Sequence, residues 1–136
     1  MRPKNILIVD DELLIRDLLY DFFTDRDWHV SVCDCADKAL ELIKNRQYEI
    51  ALIDLKMPEI DGISLIKKIK AHQPDIPVVI MTGFPSVETA IEGIHLKVED
   101  YIVKPFNINK LYKTIHAIAE MTVKSTEPAR TEDIIS

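Results

Sequence analysis

The sequence predicts an α/β domain built on a doubly wound, five-stranded parallel sheet with helices on both faces. Three observations predict it. The hydrophobic periodicity switches from strand-like to helix-like five times, as repeated βα units do. Four of the strand-like runs end on polar residues of one chemical set: Ile6 to Val9 runs into Asp10 and Asp11, Ile50 to Ile53 into Asp54, Val78 to Met81 into Thr82, and Tyr101 to Val103 into Lys104. The chain has 136 residues and 47% hydrophobic content, enough for one compact core without staples.

The first strand is expected over Asn5 to Val9. A helix from about Asp11 to Arg26 follows, with Ile15, Leu18, Leu19 and Phe22 on its apolar stripe and acidic residues in an opening turn where the helix dipole favours them. The second strand covers Trp28 to Cys33, and the second helix, Ala36 to Asn45, turns Ala39, Leu40 and Ile43 inward. The third strand is Glu49 to Ile53. After the Met57-Pro58-Glu59-Ile60-Asp61-Gly62 turn, a helix carries Ile63, Ile66 and Ile69 inward to about Ala71.

The fourth strand is Pro77 to Met81, and Ser86 is the N-cap of a helix whose apolar side is Val87, Ala90, Ile91 and Ile94. The fifth strand is Tyr101 to Val103. Asn107 or Asn109 begins the last helix, with Leu111, Ile115, Ile118 and Ala119 buried. The apolar repeat ends at Met121. Residues 1–121 therefore form the domain, and 122–136, rich in Ser, Thr, Glu and Pro, read as a polar tail or the start of a linker.

Right-handed crossovers place the strands in the flavodoxin-like order 2-1-3-4-5, with the topological switch point between strands one and three. Ligands bind at the carboxyl edge of such sheets, and Asp10, Asp11 and Asp54 meet there. The bulk charge excludes one class of partner. With 17 Lys and Arg against 23 Asp and Glu, a net charge of −6 gives no clustered basic grip for a phosphate backbone, so no direct nucleic-acid binding is expected. The apolar runs are too short and too broken by charge for a membrane span, and no signal-peptide apolar region follows Met1, so the expected location is cytoplasmic.

Cys33 and Cys35 are the only cysteines and have no further soft ligand beside them, so they read as small fillers in a reduced compartment. His29, His72, His95 and His116 have no ligand spacing, and Lys67, Lys68 and Lys70 read as a solvated helix face. Trp28 and Phe106 are expected to pack in the fold.

Three carboxylates at one sheet edge cannot all stay ionised unaided, because each like-charge pair at ~5 Å costs roughly 3 kcal/mol at an effective dielectric near 20. Oxygen-only ligands with room for water suit Mg²⁺. With Mg²⁺ and protonated Lys104 the three aspartates are balanced in charge, and the site is receptive to a dianionic phosphoryl group. A carboxylate so placed can attack phosphorus and form an acyl phosphate. Asp54, alone at the end of the central strand, is the candidate nucleophile, while the adjacent Asp10 and Asp11 are better suited to holding metal.

The blocks Ile6-Leu7-Ile8-Val9-Asp10-Asp11-Glu12, Leu52-Ile53-Asp54-Leu55-Lys56-Met57-Pro58-Glu59-Ile60-Asp61-Gly62, Val79-Ile80-Met81-Thr82-Gly83 and Asp100-Tyr101-Ile102-Val103-Lys104-Pro105-Phe106 resemble the four signature blocks of two-component response-regulator receiver domains. The likeness covers about Lys4 to Glu120. It implies that Asp54 takes a phosphoryl group from a histidine kinase or phosphotransfer protein. Asp11, Asp54 and the backbone carbonyl of Lys56 would ligate Mg²⁺, with Asp10 acting largely through water. Lys104 would pair with the phosphoryl oxygens and Thr82 would hydrogen-bond them, a shift coupled to Tyr101. The Lys104-Pro105 peptide is usually cis in such domains.

The resemblance further implies a regulatory phosphoacceptor rather than an enzyme with an external substrate. Phosphorylation would change the surface of the fourth helix, fifth strand and fifth helix, where an output domain, a downstream protein or a second copy docks. Lys56 and Phe84 would flank the phosphoryl group and lengthen its lifetime. At Lys97-Val98 many relatives have Gly-Ala, so the left-handed turn expected there lacks its usual residue.

Each residue alone has an ordinary reading: Asp10-Asp11 as a helix start, Thr82 as a turn cap, Lys104 as a solvated strand end, Tyr101 as a half-buried aromatic. The constellation carries the inference. A phosphoaspartate hydrolase of the haloacid-dehalogenase type is a rival reading, although its nucleophile is followed two residues later by an acid where this chain has Lys56. A pseudo-receiver that only binds a partner is a second. The stretch from Met81 to Ile94 is reminiscent of receivers attached to nitrogen-regulation-type transcription activators, though a single-domain regulator fits as well.

Overall fold

The computed structural model describes residues 4–57 and 61–126. Pro58, Glu59 and Ile60 of the predicted turn lie outside the described residues, as do Met1 to Pro3 and the stretch 127–136 of the predicted tail. Strands and helices alternate as β1 (Asn5–Val9), α1 (Leu13–Thr24), β2 (His29–Cys33), α2 (Ala36–Asn45), β3 (Ile50–Asp54), α3 (Gly62–His72), β4 (Val78–Thr82), α4 (Val87–His95), β5 (Asp100–Val103) and α5 (Ile108–Thr126). All strand pairs are parallel, in the predicted order β2-β1-β3-β4-β5.

Successive residues of a strand point to opposite faces of its sheet, and the apolar runs divide accordingly. Leu7, Val9, Ala51, Ile53, Val78 and Ile80 pack with Ala39, Ile43, Ile63, Ile66 and Ile69 of α2 and α3. Ile6, Ile8, Ile50, Leu52, Val79 and Met81 pack with Leu19 and Phe23 of α1 and Leu111, Ile115 and Ala119 of α5. A sheet covered on both sides needs apolar residues at every strand position, which is why these runs do not alternate with polar ones. Among the described residues, no helix is long and apolar enough to cross a membrane.

Three helix expectations are corrected. The first helix begins at Leu13, so Asp11 and Glu12 precede it and its first turn holds no acid. Its buried stripe is Leu19 and Phe23; Leu18 is exposed and Phe22 half-buried. The pairs Leu18-Leu19 and Phe22-Phe23 offer two equally apolar phases of one helix, and packing of Phe23 against Trp28 selects the second, while both phenylalanines reach Tyr112. In α4, Val87, Ile91 and Ile94 face solvent and only Gly93 is buried. The helix approaches the sheet through that glycine, whose Cα–H face sits against Val98 and Ile80.

Helix ends explain two further details. After α1, Trp28 N–H donates to Phe23 O and Asp27 N–H to Thr24 O, both at 3.1 Å, with Asp27 in the left-handed region at φ 67. This is a Schellman cap, closed by Trp28 packing edge-on against Phe23 at 5.3 Å between ring centroids. Trp28 thus ends the helix rather than opening the second strand. The same cap recurs after α4: Val98 N–H donates to Gly93 O and Lys97 N–H to Ile94 O, with Lys97 at φ 59. The left-handed turn forms without glycine. Asn107 caps α5 by accepting from the Lys110 N–H, and the helical backbone continues past Met121 to Thr126.

Candidate functional site

The carboxyl ends of β1, β3, β4 and β5 open on one acidic cavity of about 370 Å³, lined by Asp11, Glu12, Asp54, Lys56, Met57, Gly83, Phe84 and Lys104. Strand register explains the convergence. Val9 lies beside Ile53, so the next residues, Asp10 and Asp54, are neighbours at the switch point. Thr82 pairs with Val103, which puts Lys104 one step beyond, its N–H donating to Thr82 O at 2.8 Å. The Lys104-Pro105 peptide is cis.

By the alternation of the strands, Asp10 follows Ile6 and Ile8, and Asp54 follows Ile50 and Leu52, so both belong to the α1/α5 side. Lys104 reaches both. Its Nζ lies 2.7 Å from Asp10 Oδ2 and 3.2 Å from Asp54 Oδ2. Carboxylate oxygens of Asp10, Asp11, Glu12 and Asp54 all lie within 4.8 Å of one another, with Asp10 and Asp54 buried and the other two exposed.

Local hydrogen bonds hold this arrangement. Asp10 Oδ1 accepts from Glu12 N–H at 2.9 Å, Asp10 O accepts from Arg16 Nη1 at 2.8 Å, and Asp54 Oδ1 accepts from Lys56 N–H at 3.1 Å. Beneath Asp54, Gly62 brings the start of α3 close: a Cβ there would stand 2.7 Å from Asp54 O and 2.6 Å from Leu55 Cα. Asp61 caps that helix, accepting from Ile63 N–H at 3.0 Å.

Burial is the largest influence on Asp10 and raises its carboxyl above the usual range, an effect the charge of Asp54 reinforces and the Lys104 ammonium and the Glu12 N–H oppose. Burial also works against the charge on Lys104. Hydrogen bonds to Asp10 and Glu12, with the charges of Asp10 and Asp54, outweigh it and hold the ammonium above the ordinary lysine value. Lys104 is therefore protonated. Two ammoniums, Lys104 and Lys56 at the mouth, against four acids leave a net negative pocket, and Asp10 Oδ2, buried, makes an ion pair but no well-directed hydrogen bond. The donors are all oxygen and the excess charge is negative, so a hard divalent cation fits.

The other predicted positions lie around this centre. Thr82 is buried, and its Oγ1 accepts from Phe84 N–H at 3.0 Å, the turn cap that a strand-end hydroxyl ordinarily makes. Tyr101 is half-buried, its hydroxyl 2.8 Å from Thr89 Oγ1 and accepting from Ser86 N–H at 3.4 Å. The Lys56 ammonium stands over the Phe84 ring at the cavity mouth. Glu12 is the residue that sequence reasoning missed: its Oε1 lies 2.8 Å from Lys104 Nζ. The signal was present as a third consecutive acid after β1.

The sequence profile of the response regulator receiver domain matches residues 6–116. The transcriptional regulatory protein ZraR of Escherichia coli O157:H7 is 37% identical over 111 residues, which are 82% of this chain and 25% of that protein. The chain spans about a quarter of the length of such relatives. Among solved structures, the response regulator receiver domain protein (CheY-like) from Methanospirillum hungatei JF-1 aligns with a TM-score of 0.87 and 28% identity, covering 90% of this chain and 98% of that one. A response regulator protein from Burkholderia pseudomallei, solved with a phosphorylated aspartic acid, calcium ion and citrate, aligns with a TM-score of 0.78 and 26% identity over 90% of this chain and 73% of that one.

Proposed function

We infer the function from one premise: this chain belongs to the response regulator receiver domain family. Within that family it acts as a phosphorylation-switched signalling domain with Asp54 as the phosphoacceptor. The observation that carries this reading is the Lys104 ammonium between the buried carboxylates of Asp10 and Asp54 at the mouthward end of β3. The Burkholderia pseudomallei relative, solved with a phosphorylated aspartic acid and a calcium ion, supports the same chemistry here.

A carboxylate oxygen of Asp54 attacks the phosphorus of a phosphohistidine on a histidine kinase or phosphotransfer protein. The O–P bond forms, the P–N bond breaks, and the electron pair returns to the imidazole nitrogen. Lys104 pairs with the transferred phosphoryl oxygens and Thr82 donates its hydroxyl to them. Asp11, Asp54 and the Lys56 carbonyl would hold Mg²⁺, with Asp10 nearby; when bound, the cation would supply charge neutralisation at the carboxylates and phosphoryl oxygens.

On this reading the domain spans about 1–121, with α5 running on to Thr126, and 122–136 form a polar tail or the start of a linker. The readout surface is α4, β5 and α5, where Val87, Ile91, Ile94, Val103 and Met121 are exposed apolar residues suited to an output domain, a downstream protein or a second copy. Incubation with acetyl phosphate and Mg²⁺ followed by intact mass tests the reading. An adduct of about 80 Da, absent from Asp54→Ala, is expected; steady release of phosphate without an adduct would instead favour the hydrolase reading.

A further inference from the structure

The ammonium of Lys104 is shared by three carboxylates: Asp10 Oδ2 at 2.7 Å, Glu12 Oε1 at 2.8 Å and Asp54 Oδ2 at 3.2 Å. Asp10 and Asp54 sit at buried strand ends, with side chains 0% and 3% exposed, whereas the Glu12 side chain is 58% exposed. Glu12 also occupies the N-cap position of α1, where a side chain ordinarily accepts a backbone N–H of the first turn, and it makes no such bond. Its carboxylate instead crosses 92 residues of sequence to reach Lys104. Of the three partners, it alone can swing into water without burying an unpaired charge.

We infer that Glu12 is a positioning residue that occupies Lys104 before phosphorylation and must release it when phosphate arrives. The inference rests on the receiver reading above. In the unphosphorylated domain Glu12 Oε1 takes the place, on the ammonium, that a phosphoryl oxygen of Asp54 takes afterwards. The exchange is one anion for another on a single cation. Breaking the Glu12 contact therefore makes Lys104 available sooner to an incoming phosphoryl dianion, whether the group is transferred covalently or bound as a mimic.

The test compares the full chain with Glu12→Gln, which removes the charge, and Glu12→Asp, which keeps the charge but falls one methylene short of Lys104. Two quantities are read at saturating Mg²⁺: affinity for beryllofluoride by fluorine NMR, and the initial rate of labelling by acetyl phosphate from intact mass. Both variants should rise about two- to fivefold in both, the range in which a half-exposed ion pair acts. A rise in Glu12→Gln alone would assign the effect to net charge and overturn the contact; no rise in either variant overturns it too. A wild type that takes both label and mimic while the variants match it removes the Glu12 inference alone. A wild type that takes neither removes the receiver chemistry, and this inference with it.

Discussion

The Nζ of Lys56 stands 5.4 Å from the centroid of the Phe84 ring, so the residue two after Asp54 and the residue two after Thr82 form a cation–π pair across the cavity mouth. Both side chains are exposed and line the cavity. On the proposed receiver chemistry, this pair crowds the approach of a hydrolytic water to an acyl phosphate on Asp54.

Loss of phosphate should therefore accelerate in Lys56→Ala and in Phe84→Ala, by about two- to fivefold each, the range of an exposed cation–π contact. The Lys56 carbonyl is untouched by either change. Following the decay of the labelled protein by intact mass checks this, and equal lifetimes in wild type and both variants would retire the idea.

Gly62 and Gly93 should respond differently to alanine. At Gly62 the new Cβ meets backbone, Leu55 Cα at 2.6 Å and Asp54 O at 2.7 Å, and neither can move without displacing the acceptor strand. A loss of about 2 kcal/mol or more is expected. At Gly93 the neighbours are side-chain tips, Val98 Cγ2 at 3.1 Å and Ile80 Cδ1 at 3.3 Å, and alanine regains about 1 kcal/mol of helix propensity. Gly93→Ala should fall within about 1 kcal/mol of wild type by urea denaturation.

Lys97, at φ 59, holds a left-handed conformation that costs a residue with a Cβ about 1 kcal/mol. Lys97→Gly relieves that cost and loses part of the gain to a freer unfolded chain, leaving a net stabilisation of about 0.5 kcal/mol. Lys97→Val should lose at least about 1 kcal/mol, because a branched Cβ is least tolerated there. Denaturant midpoints of the two variants decide the matter.

Burial pushes the Cys33 thiol up to about 12 from 9.0, with the charges of Cys35 and Asp34 adding to it. The folded state thus holds this proton more tightly than the unfolded chain. The associated stability is fully present below about pH 9 and declines as pH rises from 9 toward 12, where the unfolded thiol has already ionised. At pH 8 the buried Cys33 thiol stays protonated. Iodoacetamide should label half-buried Cys35 in the native protein and reach Cys33 only on unfolding; peptide mapping reads this directly.

By itself the sequence determined the strand order, the sheet edge that carries the chemistry, and the meeting of Asp10, Asp54 and Lys104, because a parallel sheet with right-handed crossovers leaves strand-end residues little choice of place. Tertiary structure decided what local pattern leaves degenerate. Leu18-Leu19 and Phe22-Phe23 allowed two helix phases, and only the packing of Phe23 on Trp28 chose between them. The apolar side of α4 has the period of a buried face, yet close approach through Gly93 turns Val87, Ile91 and Ile94 to solvent. The reach of Glu12 to Lys104 across 92 residues was equally hidden. Periodicity reports which face of an element is apolar, while the element's orientation and the partner of an exposed charge are set by neighbours far away in the chain.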